Sequence, residues 1–528
     1  MRILVTDKVS EHGVEILRAE HDVDVKNNLT SEELLNIIAA YDALVVRSET
    51  KVTKGVLETA VNLKVVGRAG VGVDNIDVPA ATKKGVIVLN APDGNTVAAT
   101  EHTVALMLAL ARNIPQAYRS LKEGKWERSK FVGVEMRGKT LGVIGLGRIG
   151  TGVAKRALAF EMNILAYDPY LSDERAKDLG VELADLDEIY RRADFLTLHL
   201  PLTAETKYLV NREAFAKMKK GIRIVQCARG GIIEEQALIE ALHEGIVAGA
   251  AIDVFEKEPV DPENPLFTME QVIFTPHLGA STKEAQVGVA VDVAEGVLTA
   301  LRGEPVSTAV NLAPISPQVL KFIRPYLDLV KKMGNLAVHL AEGRIHTIEA
   351  LYNGDIGEVD TKMLTLAALT GVLNPILQED VNIVNAQTLA KARGVKVREI
   401  KSQETENFAN EITLRVVTDK REHRVTGALF GRAEGRIVMI DGHRVDVEPQ
   451  GWLLIAPHID HPGMVGKLGT VLGENQINIT GMQVGRTEEA GTNIMVLGID
   501  QEIPNAALLK IRALDGILGT RLVKFAES

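Results

Sequence analysis

KTLGVIGLGRIGTGVAKRALAFEMNILAYD, residues 139–168, sets Gly145, Gly147 and Gly150 in a G-x-G-x-x-G frame between an apolar run and a helix-like segment. Such a frame alone is weak, since a glycine-rich structural turn satisfies it as well. The context decides. An apolar strand precedes it, small residues (Thr151, Gly152, Ala154) open the following helix, and a second strand ends in Asp168. Asp168 lies 23 residues after Gly145, near the ~20 expected of a dinucleotide site. Gly145 permits the tight turn, Gly147 lets a pyrophosphate approach backbone, and Gly150 lets helix and strand pack closely. The helix N-terminus then offers N–H groups to phosphate. Asp168 can accept from ribose hydroxyls and would repel a 2′-phosphate, so NAD is favoured over NADP.

Working outward, 528 residues exceed what one hydrophobic core organises, and three or four domains are expected. A net charge of −10 disfavours nucleic acid or an anionic membrane surface as a general partner. Cys227 is the only cysteine, which excludes an intrachain disulfide and a cysteine-built metal site; it reads as a small buried hydrophobe. No metal is expected. Apolar runs are too short for a membrane span, and MRILVTDKVS enters a strand without a signal sequence. A cytoplasmic protein is expected.

Before the glycine loop, RILVTD, DALVVRS, LKVVGRAG and GVIVLNAP alternate with helical segments, the rhythm of a parallel sheet. A long apolar helix follows, with Asn95 or Thr96 as its cap. After the loop, TLGVIG, NILAYD, DFLTLHL, IRIVQCA, GAAIDVF and QVIFTPHLG describe a second, doubly wound sheet. The first block looks one helix short, and TKEAQVGVAVDVAEGVLTALRG is expected to complete it. EPVSTAVNLAPISPQVLKFIRP reads as a proline-rich linker. The last 77 residues read β-α-β-β-α-β, a ferredoxin-like unit. The expected fold is therefore α/β: two Rossmann-like doubly wound domains, 1–97 (completed by 281–306) for substrate and 98–280 for NAD, then an α+β intervening domain, 307–451, and a ferredoxin-like domain, 452–528.

Arg229 (QCARGG), Glu258 (DVFEKEP) and His277 (FTPHLGAS) each fall at or after a strand end, where open α/β sheets bind ligands. Arginine offers a bidentate clamp for a carboxylate. Histidine takes and returns a proton near neutrality, and a neighbouring glutamate favours the imidazolium and fixes the ring's tautomer. Singly, each is more often a paired surface or packed residue. Their order behind a dinucleotide loop carries the assignment.

GLGRIG, YDP, CARGG, DVFEKEP and PHLGAS together resemble the D-isomer-specific 2-hydroxyacid dehydrogenase family over roughly residues 1–306. The resemblance implies that Arg229, Glu258 and His277 are catalytic. It implies NAD contacts at Arg148, Ile149, Asp168, Leu200, Cys227, Ala228, Arg229, Asp253, His277 and Gly279, and a homodimeric core with KWERSKF between subunits. A dimer or tetramer is expected. RSET, GRAGVGVDNID and NAPDGNTVAATEHT resemble the members that oxidise 3-phospho-D-glycerate to 3-phosphooxypyruvate, the first step of L-serine synthesis. Arg47, Ser48, Arg68 and Arg128 are then candidate phosphate contacts, and the amides of Ala69, Gly70 and Val71 candidate carboxylate contacts. Either of Arg47 and Arg68 could instead pair with a local acid such as Asp74.

APHIDHPGMVGKLGTVLGENQINITGMQVGR resembles an ACT domain, an amino-acid-binding regulatory module. That implies L-serine as effector, with His458, Asp460 and Asn478 supplying contacts; Asp460 as a plain helix cap is the alternative. Residues 312–450 resemble the intervening domain of long-form members, where His443-Arg444 is a candidate anion site or a solvated loop. The rival readings are a glyoxylate or hydroxypyruvate reductase on the same scaffold, a 2-oxoglutarate reductase side activity, an NAD(H)-sensing interaction protein, and an amino-acid-binding regulator.

Overall fold

Short β-branched runs bounded by glycine or asparagine form two all-parallel sheets in the computed structural model, which describes residues 1–313, 315–405, 408–431, 433–486 and 491–525. The first sheet contains strands Arg2–Val5, Asp22–Val25, Ala43–Val46, Val65–Arg68 and Ile87–Asn90, with the second strand in sequence at one edge and the fifth at the other. The three inner strands are buried on both faces, so they read as continuous apolar runs rather than alternating ones. Leu34, Val56, Leu57 and Ala81 from three helices cover one face. The other face meets Leu17 and, from far along the chain, Val289, Val293 and Val297 of helix Lys283–Leu301. Gly13 makes that approach possible, since a Cβ there would lie 2.8 Å from the Ala290 Cβ.

Helix Thr96–Ala111 leaves the first sheet and packs Leu106, Met107 and Leu110 into the core of the second. Asn95 stands at its N-cap, yet neither it nor Thr96 caps the helix by a side-chain hydrogen bond, contrary to expectation. The second sheet has seven parallel strands: Val272–Phe274, Val247–Ile252, Ile222–Gln226, Phe195–Leu198, Thr140–Ile144, Asn163–Tyr167 and Glu182–Leu183, in that spatial order. The winding reverses between Phe195–Leu198 and Thr140–Ile144, the point where such sheets open a crevice at their strand ends.

The supposed linker is largely structured. Ala309 bridges Leu89 at the edge of the first sheet, and Asn311 bonds the Val88 amide at 2.9 Å and the Val86 carbonyl at 2.9 Å. From Pro317 the chain is already helical, through Leu340 and across Pro325. A proline at the first helical position costs no hydrogen bond, so proline content misled here. The helix covers a six-stranded sheet with one parallel pair, Ile345–Gly354 with Lys396–Ser402, among antiparallel neighbours. The final four strands run in the order Ile479–Gly485, Thr492–Ile499, Trp452–Ile459, Arg521–Lys524, all neighbours antiparallel, with helices Met464–Glu474 and Asn505–Arg512 in their core. Among the described residues no helix is long and apolar enough to cross a membrane.

Candidate active site

Gly145 takes φ +93°, and a Cβ there would lie 2.6 Å from the His199 carbonyl across the reversal point. A Cβ on Gly150 would stand 2.0 Å from the Gly145 carbonyl, so helix Arg148–Ala159 reaches the turn only because Gly150 lacks one. Gly147 differs, because a Cβ there would meet nothing within 4 Å. Its missing side chain keeps space open beside a helix end that no side chain caps. Asp168 accepts from the Leu146 amide at 2.8 Å and the Tyr170 amide at 2.9 Å. Each oxygen retains a lone pair for a ribose hydroxyl. These residues fit NAD. Arg148, at the same helix start, pairs with Asp93 of the first domain at 2.5 Å. Leu200 lies beside Gly145, and Ile149 packs partly into the core.

At the Val272–Phe274 edge of the same sheet, His277 Nδ1 lies 2.7 Å from Glu258 Oε2, while Glu258 Oε1 accepts from the Phe255 amide at 3.1 Å. Burial alone would raise the Glu258 pKa, but donation from His277 and Phe255 outweighs it and holds the carboxyl below its ordinary value. With Nδ1 committed to a carboxylate, Nε2 is left for a substrate proton. His277 itself adopts φ +55°.

Asp253, expected among the NAD contacts, is fully buried and turned elsewhere. Its Oδ1 accepts from the Leu278 amide at 2.7 Å, from Thr275 Oγ1 at 2.5 Å and faces His102 Nε2 at 3.2 Å. Its Oδ2 accepts from the Gly279 amide at 2.9 Å. A carboxylate so occupied organises the His277 loop, and Oδ2, with one donor, keeps a lone pair. Cys227 is no nucleophile, since burial pushes its thiol up to about 12, aided by the Asp253 charge and opposed by a Thr103 hydrogen bond. The Ala228 amide is likewise taken, by Gln226 Oε1 at 3.2 Å.

Arg229 donates from Nε to Asp74 Oδ2 at 3.1 Å and from a terminal nitrogen to the Ala228 carbonyl at 2.7 Å. Asp74 therefore engages Arg229 rather than Arg47 or Arg68. Arg68 folds over Gly70, where a Cβ would lie 1.8 Å from its guanidinium. Burial pushes the Arg68 pKa down to about 10, with the Arg229 and Arg47 charges adding and Asp74 and Asp7 opposing. It stays charged at neutrality, and its buried Nε has no partner. Arg47 bonds the Lys8 carbonyl at 3.0 Å, and its backbone is pinned by Asp7. Ser48 beside it is exposed. Three arginines and an orphaned donor give this region the chemistry to hold an anion.

Several expected contacts do not assemble. The Ala69 amide donates to the Val46 carbonyl and the Gly70 amide to the Arg68 carbonyl, so of the three amides only Val71 lacks a protein acceptor among the described residues. Arg128 stands exposed in a short turn after helix Ile114–Lys122 and, among the described residues, makes no hydrogen bond to the arginine cluster within the chain. Asp460 does not cap helix Met464–Glu474; Gly463 holds that position at φ +90°. His458 is buried, and Asp460 faces Arg486 at 4.0 Å. Asn478 bonds Asp500, beside Ile499 and Trp452, at the opposite end of strand Trp452–Ile459 from Asp460. One chain cannot bring these three onto one ligand. His443 is held by the Ile440 and Thr492 carbonyls at 3.2 Å each, a structural pairing.

Residues 104–279 match the D-isomer specific 2-hydroxyacid dehydrogenase NAD binding domain, so site and sequence agree on the class: an NAD-dependent oxidoreductase of 2-hydroxy acids. Residues 322–441 match the D-3-phosphoglycerate dehydrogenase intervening domain and residues 458–516 an ACT domain. The chain is 46% identical to D-3-phosphoglycerate dehydrogenase of Synechocystis sp. over 99% of its length and 94% of the relative's. It is 48% identical to that of Methanocaldococcus jannaschii, over 98% of each. Among solved structures, D-lactate dehydrogenase from Aquifex aeolicus complexed with NAD and lactic acid superposes with TM-score 0.53 at 27% identity, covering 57% of this chain and 96% of that one. The chain belongs to the D-3-phosphoglycerate dehydrogenase family.

Proposed function

We propose that this protein oxidises 3-phospho-D-glycerate to 3-phosphooxypyruvate with NAD, as the first step of L-serine synthesis, under restraint by L-serine. The observation that carries the substrate is the cluster of Arg47, Arg68 and Arg229, with the unpartnered Arg68 Nε, next to the loop where Gly230 packs on the Phe255 carbonyl ahead of Glu258. A small unphosphorylated 2-hydroxy acid requires one arginine, for its carboxylate. A phosphorylated one uses the others for its second anionic group.

In this reading Arg229 and the Val71 amide hold the carboxylate, and Arg47 and Arg68 take the phosphate. Bound NAD supplies the hydride acceptor for C2. His277 Nε2 removes the hydroxyl proton as the C2 hydride departs, and Glu258 stabilises the resulting imidazolium through Nδ1. In reduction the same imidazolium returns the proton. Closure of the first domain over the second excludes water from the reacting carbons.

The same proposal divides the chain at 1–97 with 281–306, 98–280, 307–451 and 452–528, and locates it in the cytoplasm. It makes the protein a homo-oligomer, because Ile114, Tyr118, Leu121, Trp126 and Val132 crowd one segment as exposed apolar groups, Trp126 at 78%. Arg128 of that segment then reaches the cleft of a second copy. The test is NADH formation from NAD with 3-phosphoglycerate, with D-glycerate beside it and with L-serine added to each. Preference for the phosphorylated acid, lowered by serine, is expected. Preference for D-glycerate would transfer the assignment to a reductase of unphosphorylated hydroxy acids.

A further inference from the structure

We propose that His102 is a positioning residue for the dehydrogenation, fixing through Asp253 the loop that carries His277. The inference rests on the reading of His277 as proton acceptor. His102 lies in the polar run Thr100-Glu101-His102-Thr103 of helix Thr96–Ala111, and its side chain is 20% exposed against 0% for Asp253. Nε2 lies 3.2 Å from Asp253 Oδ1 and 3.1 Å from Thr275 Oγ1. The Asp253 carboxylate holds the two amides that follow His277, and the Asp253 carbonyl holds the His277 amide itself at 2.9 Å. One residue thus pins three consecutive backbone donors around a histidine in the left-handed region, a conformation that persists only where its surroundings impose it.

Every other donor to that carboxylate comes from the same strand-and-loop segment, Thr275 to Gly279. Among the described residues, His102 alone comes from another element, the helix that leaves the first sheet and packs on the second. It therefore ties the loop to a rigid support that the loop cannot supply. His102, Cys227 and Asp253 offer ligand atoms within 4.8 Å of one another. The Asp253 oxygen nearest His102 is already committed to Leu278 and Thr275, so the cluster reads as a clamp and not as a cation site.

Without the imidazole donor, Asp253 is freer to turn, the Leu278 and Gly279 amides loosen, and His277 Nε2 leaves the line of the substrate hydroxyl. A shift of about 1 Å in a reacting group costs up to ~100-fold in rate. The arginine cluster is untouched, so substrate affinity should hold.

The experiment compares the parent protein with His102→Leu, which keeps bulk without a donor, and His102→Gln, which keeps a donor. Turnover of 3-phosphoglycerate, its C2-deuterium isotope effect and thermal melting are measured for each. We expect His102→Leu to lose about tenfold or more in kcat with KM for 3-phosphoglycerate within about twofold, and His102→Gln to recover most of it. The isotope effect on kcat should rise in His102→Leu as hydride transfer becomes limiting. In an Asp253→Asn background, His102→Leu should add little further loss, because both act through one carboxylate. A His102→Leu protein as fast as its parent, a His102→Gln protein as slow as His102→Leu, or additive losses with Asp253→Asn would each overturn the positioning role alone. An inert parent would overturn the functional reading and this role with it.

Discussion

At the scale of single residues, the proposed reaction separates proton transfer from charge recognition. His277 and Glu258 form one hydrogen-bonded pair, and Arg68 waits with a buried, unpartnered donor. His277→Ala should therefore lower kcat by about 10²–10⁴-fold with a small change in KM. Arg68→Ala should instead raise KM for 3-phosphoglycerate about ten- to a hundredfold, the scale of one lost charge-assisted hydrogen bond. Steady-state kinetics on both variants check this, and parallel loss of both parameters in both would refute the division. Asp253 makes a pH-dependent contribution. Burial alone would raise its pKa, yet donation from His102, Thr275 and the Leu278 amide holds it below the ordinary aspartate value. A carboxyl depressed in the native state adds stability above its unfolded pKa, and that stability is lost as pH falls through the native one. The melting-temperature gap between parent and Asp253→Asn should be widest near neutrality and narrow in acid. A gap independent of pH would contradict it. The Glu258–His277 pair and the glycine frame were legible because each needs a particular residue at a particular place. His102, the pairing of Asp74 with Arg229 instead of Arg47 or Arg68, and the inward turn of Asp253 were not, since a polar residue on a helix or in a glycine-rich loop carries no signal until its partner arrives.

At the scale of elements, the glycine turn separates packing from binding. Gly150→Ala would drive a Cβ to 2.0 Å from the Gly145 carbonyl, overpacking that costs about 1–3 kcal/mol and displaces the turn. Gly147→Ala meets nothing in the protein and fills only the space a phosphate would use. Gly150→Ala should thus melt earlier and bind NAD poorly. Gly147→Ala should melt with the parent while NAD binding weakens about tenfold, ~1.4 kcal/mol. Calorimetric titration beside thermal melts distinguishes the two. Most strands were legible as apolar runs, because strands buried on both faces must be apolar throughout. The helix from Pro317 was not. Its prolines read as a linker, whereas a proline at the first helical position leaves no hydrogen bond unmet.

At the scale of the whole molecule, the residues expected to bind an effector are divided. Asp460 and Asn478 lie at opposite ends of strand Trp452–Ile459, so a serine site built from both needs two ACT domains. Asp460→Ala and Asn478→Ala should each abolish serine inhibition while leaving turnover near that of the parent. Mixed oligomers carrying one variant in each chain should regain part of the response, because one of their composite sites is intact. Mixed oligomers as insensitive as either variant would mean a site within one chain.

The sequence by itself determined the chemistry and its order: a turn only glycine allows, an acid at the strand end, and an arginine, a glutamate and a histidine at successive strand ends. Those requirements are local, so they are written locally. The tertiary structure decided what each group faces. It brought helix Lys283–Leu301 back to the first sheet, gave Asp74 to Arg229, and turned Asp253 toward the His277 loop. It also set Asp460 and Asn478 apart. The physical reason is distance along the chain. Partners separated by tens to hundreds of residues meet only when burial of the apolar faces fixes the sheets and helices that carry them.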